Sequence, residues 1–354
     1  MSQDRFNLIS GLFASPADPL LDFPVVQQSN FWDFLSDLDS NSHLIQSNSV
    51  WKGAKSVVLE RAQLLELIRA WLKATDEKLL QFSWKAVDES LFVEQFDWSQ
   101  KKFESGELRK TVPLILQSAD VHFSAEHLAL CLKNLILKEH SGWSYGFWQN
   151  GAGFLGHSPE LIADWSASDG SFLTAALAGT FLADVDADTA WKDDKTLDEH
   201  QIVVQDMYEQ ILKEVSLDFV VKKDTQLHRL QHLSHFKTDF ICQNVSAEQS
   251  LRLIRRLHPT AALGLYPRHP KFFKELSVLN LQKIRKQFAA PFTWIQSDRI
   301  LSVGMIRNFF FDEKQVQIFS GCGVTQQSHL ASELVELRNK RNAVKKMMGF
   351  AIDE

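Results

Sequence analysis

Gly321-Cys322-Gly323-Val324 is followed, after a short polar connection, by Glu333-Leu334-Val335-Glu336-Leu337-Arg338-Asn339-Lys340. On a helix Glu333, Glu336 and Lys340 (i, i+3, i+7) share one face. Leu334, Val335, Leu337, Val344 and Met347 mark much of the same helix for packing. Two carboxylates and an ammonium in a stripe behind a Gly-x-Gly turn suit a divalent cation and an anionic ligand held together. The stripe by itself also reads as a solvated, salt-bridged face, so its meaning depends on what lies upstream.

The chain of 354 residues is 45% hydrophobic, enough for a sizeable core in one large domain or two ordinary ones. A net charge of −6, with both signs interspersed, gives no polyanion-binding character, and no nucleic-acid partner is expected. Cys131, Cys242 and Cys322 are far apart, without a C-x-x-C, which argues against a disulfide framework or a zinc site and suits a reducing compartment. The start, Met-Ser-Gln-Asp-Arg-Phe, has no basic segment followed by a long apolar one, and no apolar run reaches 18 residues. A cytoplasmic protein with no membrane partner is the expectation.

Residues 1–50 are turn-rich and aromatic, and Leu64, Leu65, Ile68, Trp71 and Leu72 predict an amphipathic helix over 61–80. A helix over 97–106 closes on Gly106, and residues 110–122 alternate as a strand that Pro113 makes an edge or bulge. Ser124 caps a helix running to Lys138. Strands are expected near 143–149, 153–156, 161–166 and 172–178, then a polar loop from Asp184 to Asp194 and a helix opening at Asp198. Alternation resumes near 290–296, 301–307 and 315–320. Strands in runs, with helices between groups, predict an α+β fold of large, mainly antiparallel sheets flanked by helices. Residues 1–95 read as the N-terminal part of the sheet and helix layer, not as an independent domain, and residues 96–354 as the catalytic core.

Four more fragments fall in order along the chain. Phe154-Leu155-Gly156-His157-Ser158-Pro159-Glu160-Leu161 places a glutamate at a strand end after a turn. Ala176-Leu177-Ala178-Gly179-Thr180 is an apolar strand ending in a small-residue turn that leaves amides free. Asp198-Glu199-His200 opens the long helix. Leu257-His258-Pro259-Thr260-Ala261 is followed, after a gap, by Ile306-Arg307 and the C-terminal Gly-x-Gly and helix.

In this order the fragments resemble the chorismate-utilising enzymes, which include isochorismate synthase, salicylate synthase, anthranilate synthase component I and aminodeoxychorismate synthase. The resemblance runs from about Asp97 to Met348. It implies that Glu199 and Glu336 are magnesium carboxylates, with Glu333 a ligand through water or a neighbour of the ligands. It implies that Arg307 and Lys340 hold the substrate's side-chain carboxylate, that Gly179, Thr180 and Gly321 contact the ligand, and that Glu160 is the general acid. The chemistry is coherent, because a dicarboxylate needs cations and Mg2+ takes one or two protein carboxylates beside a substrate oxygen.

The resemblance makes the general base decisive, because isochorismate synthases use a lysine to activate water where the amine-transferring branches usually have glutamine. Lys55 and Lys110 compete for this role. Lys55 is one residue out of register, which in a strand is the opposite face. Lys110 follows a helix and a glycine, precedes strand, helix and Ser144-Tyr145-Gly146-Phe147, and lies 50 residues before Glu160, as the family's spacing implies; it is the better candidate. Phe181 and Leu182 replace a basic residue after Gly-Thr, Phe288 to Trp294 replace a stretch richer in glycine, and Ala261 replaces a proline. His157, His200 and His258 read as hydrogen-bonded core histidines, and Cys322 as a small buried residue.

The resemblance therefore implies a magnesium-dependent isochorismate synthase, an isomerase acting on chorismate, whose product feeds menaquinone or a catechol siderophore. Ala178 ahead of Gly179 argues against aminodeoxychorismate synthase. Salicylate synthase, and a chorismate-binding protein with little or no turnover, are the alternatives. A monomer without a glutamine amidotransferase partner is expected.

Overall fold

Two antiparallel sheets pack against each other, and helices cover their outer faces. The computed structural model describes residues 80–137, 142–149, 151–229, 233–285 and 287–352, with short segments at 11–14, 20–21, 26–28, 59–60, 66 and 68–69. Lys55 and most of the expected 61–80 helix lie outside these residues.

The first sheet runs Gly11–Ala14, Trp143–Gln149, Ala152–Ser158, Asn308–Phe311, Gln315–Gly321, Leu114–Asp120. The second runs Val220–Lys222, Leu233–Cys242, Ser171–Leu182, Leu161–Ser166, Arg299–Gly304, Pro291–Ile295, Val26–Gln28, with Gln226–Arg229 also paired to Leu233–Cys242. Leu114, Tyr145, Phe154 and Phe319 of the first sheet meet Leu161, Phe292, Leu301 and Val303 of the second in one buried cluster. The first sheet's other face receives Leu128 and Leu132 of the helix Ala125–Leu137 and Val344 and Met348 of the helix Leu330–Met348. The second sheet's other face receives Ile202, Val203, Met207 and Ile211 of Asp194–Ile211 and Leu253, Ile254 and Leu257 of Ala247–Leu257. In Gln315-Val316-Gln317-Ile318 the alternation is literal: both aliphatics are buried and both glutamines half-buried, as a period of two requires. The architecture is the α+β one expected.

Several boundaries move. The helix expected over 97–106 is Ser90–Glu104, opening seven residues ahead of the expected start, because Phe92 and Phe96 continue its buried face. Ser124 accepts from the His127 amide (3.2 Å), the cap expected from the sequence. The helix expected at Asp198 opens at Asp194, where the Asp193 carboxylate accepts from the Thr196 amide at 3.0 Å. Glu199 thus lies in the second turn and is no helix-terminal acid. A short helix, Ala187–Ala190, interrupts the expected polar loop. The strand expected to end at Ala178 continues to Leu182, with a bulge: Phe236 pairs with Ala178 and His235 with Thr180, so Gly179 is passed over. Its φ of +73° is the left-handed conformation that favours glycine. The strand Leu233–Cys242 is not evident from alternation, because His235 and Thr238 place polar groups on buried positions where the pattern calls for apolar ones.

Candidate active site

Lys110 sits just before the strand Leu114–Asp120, tied by a two-residue bridge: its carbonyl accepts from the Tyr266 amide at 2.9 Å and its amide donates to the Tyr266 carbonyl at 3.2 Å. Its side chain is 1% exposed. The ammonium donates to the Ala261 carbonyl at 2.6 Å and lies 3.5 Å from Oε1 of Glu199. The Ala261 peptide is itself braced, since its amide donates to Oδ2 of Asp206 at 2.7 Å. Asp206, fully buried on the helix Asp194–Ile211, is clamped by Nε and Nη2 of Arg268 at 2.6 and 2.7 Å. A bidentate guanidinium compensates a carboxylate taken out of water. This brace has no sequence signature, because Asp206 and Arg268 are far apart in the chain.

Glu160 follows the strand Ala152–Ser158, and its backbone is fixed by Ser158 and Gly304. Its carboxylate accepts from the Thr260 hydroxyl at 3.3 Å. Burial lifts this carboxyl to about 7, against the downward pulls of Lys110 and Thr260. The group therefore keeps a proton near neutrality, as a general acid must.

Glu199 projects from the second turn of its helix. Burial raises its carboxyl, Lys110 pulls it down, and Glu336 and Glu333 push it up, so three carboxylates feel one another. The neighbouring His200 is buried, with Nε2 2.9 Å from the Thr238 hydroxyl, and burial lowers it to about 4. It is a neutral anchor for the helix, the hydrogen-bonded core histidine expected. On Leu330–Met348, Glu336 pairs with Lys340 at 2.6 Å, and Lys340 also donates to the Gly321 carbonyl at 2.9 Å. Burial raises the Glu336 carboxyl, but Lys340, Lys195 and Arg307 outweigh it and the net direction is down. Glu333, 1% exposed, is held by Lys195 at 2.7 Å. The solvated-face reading of the stripe fails for these residues.

Arg307 occupies the connection between Arg299–Gly304 and Asn308–Phe311 with φ +54°, and its carbonyl accepts from the His157 amide. Burial brings its guanidinium down to about 10, so it stays cationic at neutral pH. Lys110, Glu160, Gly179, Thr180 and Glu199 line one cavity together with Arg307, Gly321 and Lys340. Glu336 and Glu333, on the same helix face as Lys340, are not among the residues that line it. Gly323 matters sterically, because a Cβ there would fall 1.9 Å from Oε1 of Glu199 and 2.9 Å from Cε of Lys110. His235 also lines the cavity, and sequence reasoning does not find it because it lies outside the ordered fragments and is a polar residue at a buried position. Phe288 lines it too, and the neighbouring Ala289 holds φ +66°, a left-handed conformation in which glycine would be unstrained.

Among the described residues no three His, Cys, Asp or Glu side chains converge closely enough to hold a metal by themselves. The acidic set fits a cation completed by ligand and water oxygens. Glu199 and Glu336 are oxygen donors that repel each other, with no nitrogen or sulfur donor among them, which suits Mg2+.

The family model for chorismate binding enzymes matches residues 38–349. The isochorismate synthase MenF of Bacillus subtilis (strain 168) is 28% identical over 220 residues, 59% of this chain and 45% of that protein. The salicylate biosynthesis isochorismate synthase of Pseudomonas aeruginosa is 28% identical over 230 residues, 61% of this chain and 46% of its own. The chain thus spans about half the length of the curated relatives it matches. The menaquinone-specific isochorismate synthase MenF from Escherichia coli superimposes with a TM-score of 0.71 at 15% identity, covering 96% of this chain and 88% of that one. Anthranilate synthase component I from Streptococcus pneumoniae gives 0.68 at 15%, covering 93% and 81%. These structures share the fold.

Proposed function

This chain belongs to the chorismate binding enzyme family, and from that premise we propose that it is a magnesium-dependent isochorismate synthase. The observation that carries the reading is the pairing, in one cavity, of a buried lysine with a buried carboxyl group lifted to about 7. One group removes a proton and the other supplies one, which is what moving a hydroxyl from C4 to C2 of a cyclohexadiene demands.

Lys110 takes a proton from the water that attacks C2. The ring double bonds shift, and Glu160 delivers its proton to the C4 hydroxyl as it leaves as water. Arg307 and Lys340 receive the side-chain carboxylate, with the guanidinium suited to a two-point contact. Gly179 and Thr180, at the bulge, offer backbone and hydroxyl groups to the ligand. Glu199 and Glu336 would hold Mg2+, which would supply positive charge for the ring carboxylate of the substrate. Glu333, neutralised by Lys195, keeps the face of the last helix in place. The Asp206–Arg268 brace holds the Ala261 carbonyl, and with it Lys110, in line with the cavity.

Incubation of the protein with chorismate and Mg2+, followed by chromatography of the products, tests the proposal. Isochorismate is expected. Salicylate with pyruvate would assign the chain to the lyase branch, and unchanged chorismate would make it a binding protein.

A further inference from the structure

His235 is a polar wall of the cavity that the proposed reaction leaves without a task. It lies on Leu233–Cys242 opposite the bulge in Ser171–Leu182, and it is only 4% exposed. Nδ1 lies 3.1 Å from the Gly179 carbonyl oxygen and 3.4 Å from the Thr180 hydroxyl. A carbonyl oxygen only accepts, so the ring proton sits on Nδ1 and the tautomer is fixed. Nε2 is therefore a bare lone pair, and among the described residues no group donates to it. Burial, together with the charges of Arg307 and Lys340, keeps the ring from taking a second proton.

A buried acceptor without a donor costs free energy, and a ligand that supplies the donor recovers it. Lys110, Arg307, Lys340 and Glu199, which share the cavity wall, carry charge and select among ionised groups. A neutral imidazole lone pair differs: it repels a carboxylate and attracts a hydroxyl.

We propose that His235 is a binding residue of this site, whose Nε2 accepts a hydrogen bond from a hydroxyl group of the bound ligand. Resting on the chorismate reading, that hydroxyl is the one on the substrate ring. The bond selects a hydroxylated ring over its deoxy counterpart, and the Gly179 bulge sets the imidazole's orientation. A substrate hydroxyl that meets a buried acceptor is distinguished from its absence far more strongly than a methylene is.

The test is a cycle between residue and ligand. Chorismate and an analogue with hydrogen in place of the ring hydroxyl are bound to the wild-type protein, to His235→Phe and to His235→Asn. Binding is followed by stopped-flow tryptophan quenching in Mg2+ buffer, before turnover. Asparagine retains a donor towards Gly179 but has nothing at the Nε2 position. The wild type is expected to prefer chorismate by at least about tenfold, the scale of an unmet buried hydrogen bond, and both variants to bind the two ligands alike. A wild type indifferent to the hydroxyl overturns the inference without reference to any variant. Undiminished preference in His235→Asn or His235→Phe overturns it too, because the hydroxyl then has another partner. A wild type that binds neither compound sinks the chorismate reading itself, and this inference with it.

Discussion

Nζ of Lys110 lies 3.5 Å from Oε1 of Glu199, so the proposed base and a proposed metal carboxylate are in contact before any ligand arrives. The lysine's other partner is the Ala261 carbonyl at 2.6 Å. A cation bound at Glu199 would compete with this contact, so the proposed metal site and the proposed base meet at one carboxylate.

Lys110→Ala is expected to lower turnover by a factor on the order of 10² or more, the usual scale for a general base. Chorismate affinity should stay close to wild type, because the proposed reading assigns binding to Arg307, Lys340 and the metal. Lys55→Ala should change little. Steady-state kinetics on the two variants decide between the lysines, and a loss confined to Lys55→Ala would move the base to the N-terminal segment.

Chelation should abolish activity while leaving the melting temperature near its starting value, since ammonium groups already compensate Glu199, Glu333 and Glu336. Glu336→Gln should weaken Mg2+ binding by about tenfold or more, at least what removing an outer partner of a ligand does. Calorimetric titration with Mg2+ reads this directly. Full turnover in excess EDTA would remove the metal from the mechanism, and an unfolded Glu336→Gln with normal Mg2+ affinity would make the residue structural.

Gly323→Ala isolates geometry from charge. The added methyl group would meet Oε1 of Glu199 at 1.9 Å and Cδ at 2.7 Å, so the carboxylate must swing away from Lys110. Misplacement on that scale costs about 10²-fold in kcat/KM. The backbone at Gly323 is not in the left-handed region, so the melting temperature should change far less than it would for Gly179→Ala, where φ is +73°. Wild-type kinetics in Gly323→Ala would mean that Glu199 is free to move without consequence.

The stripe Glu333, Glu336, Lys340 was legible because helical spacing alone puts the three on one face. The place of Lys110 in the cavity followed from the order and spacing of the fragments, and both sheets' general character from alternation. The brace behind Lys110 did not. Asp206 and Arg268 meet across 62 residues through bonds that leave no periodic trace. His235 hid in a strand with polar residues at buried positions of both faces, Ser234 and Thr238 on one and His235 on the other, and period-two reading depends on a buried face being apolar. The start of the Glu199 helix was misplaced because Asp193, Asp194 and Asp198 are all plausible caps, and only the Thr196 amide bond picks Asp193.

Glu160 gives a prediction in which rate and stability share one cause. Burial carries its carboxyl from an ordinary 4.5 to about 7. Between those values the folded protein holds a proton that the unfolded chain releases, so stability falls with rising pH across the window. The contribution is complete below 4.5 and lost as pH passes 7, and the gap corresponds to about 3 kcal/mol. Glutamine is neutral throughout and escapes the loss. Glu160→Gln should therefore melt above wild type at pH 8, with a much smaller gap at pH 5, while its turnover falls by roughly 10² or more at either pH. In the wild type, kcat/KM should decline above about pH 7 as the acid form is depleted. Paired melts and rates at the two pH values check both limbs. A melting difference that does not vary with pH would show that the carboxyl titrates normally, and a proton donor at neutral pH would then have to be found elsewhere in the cavity.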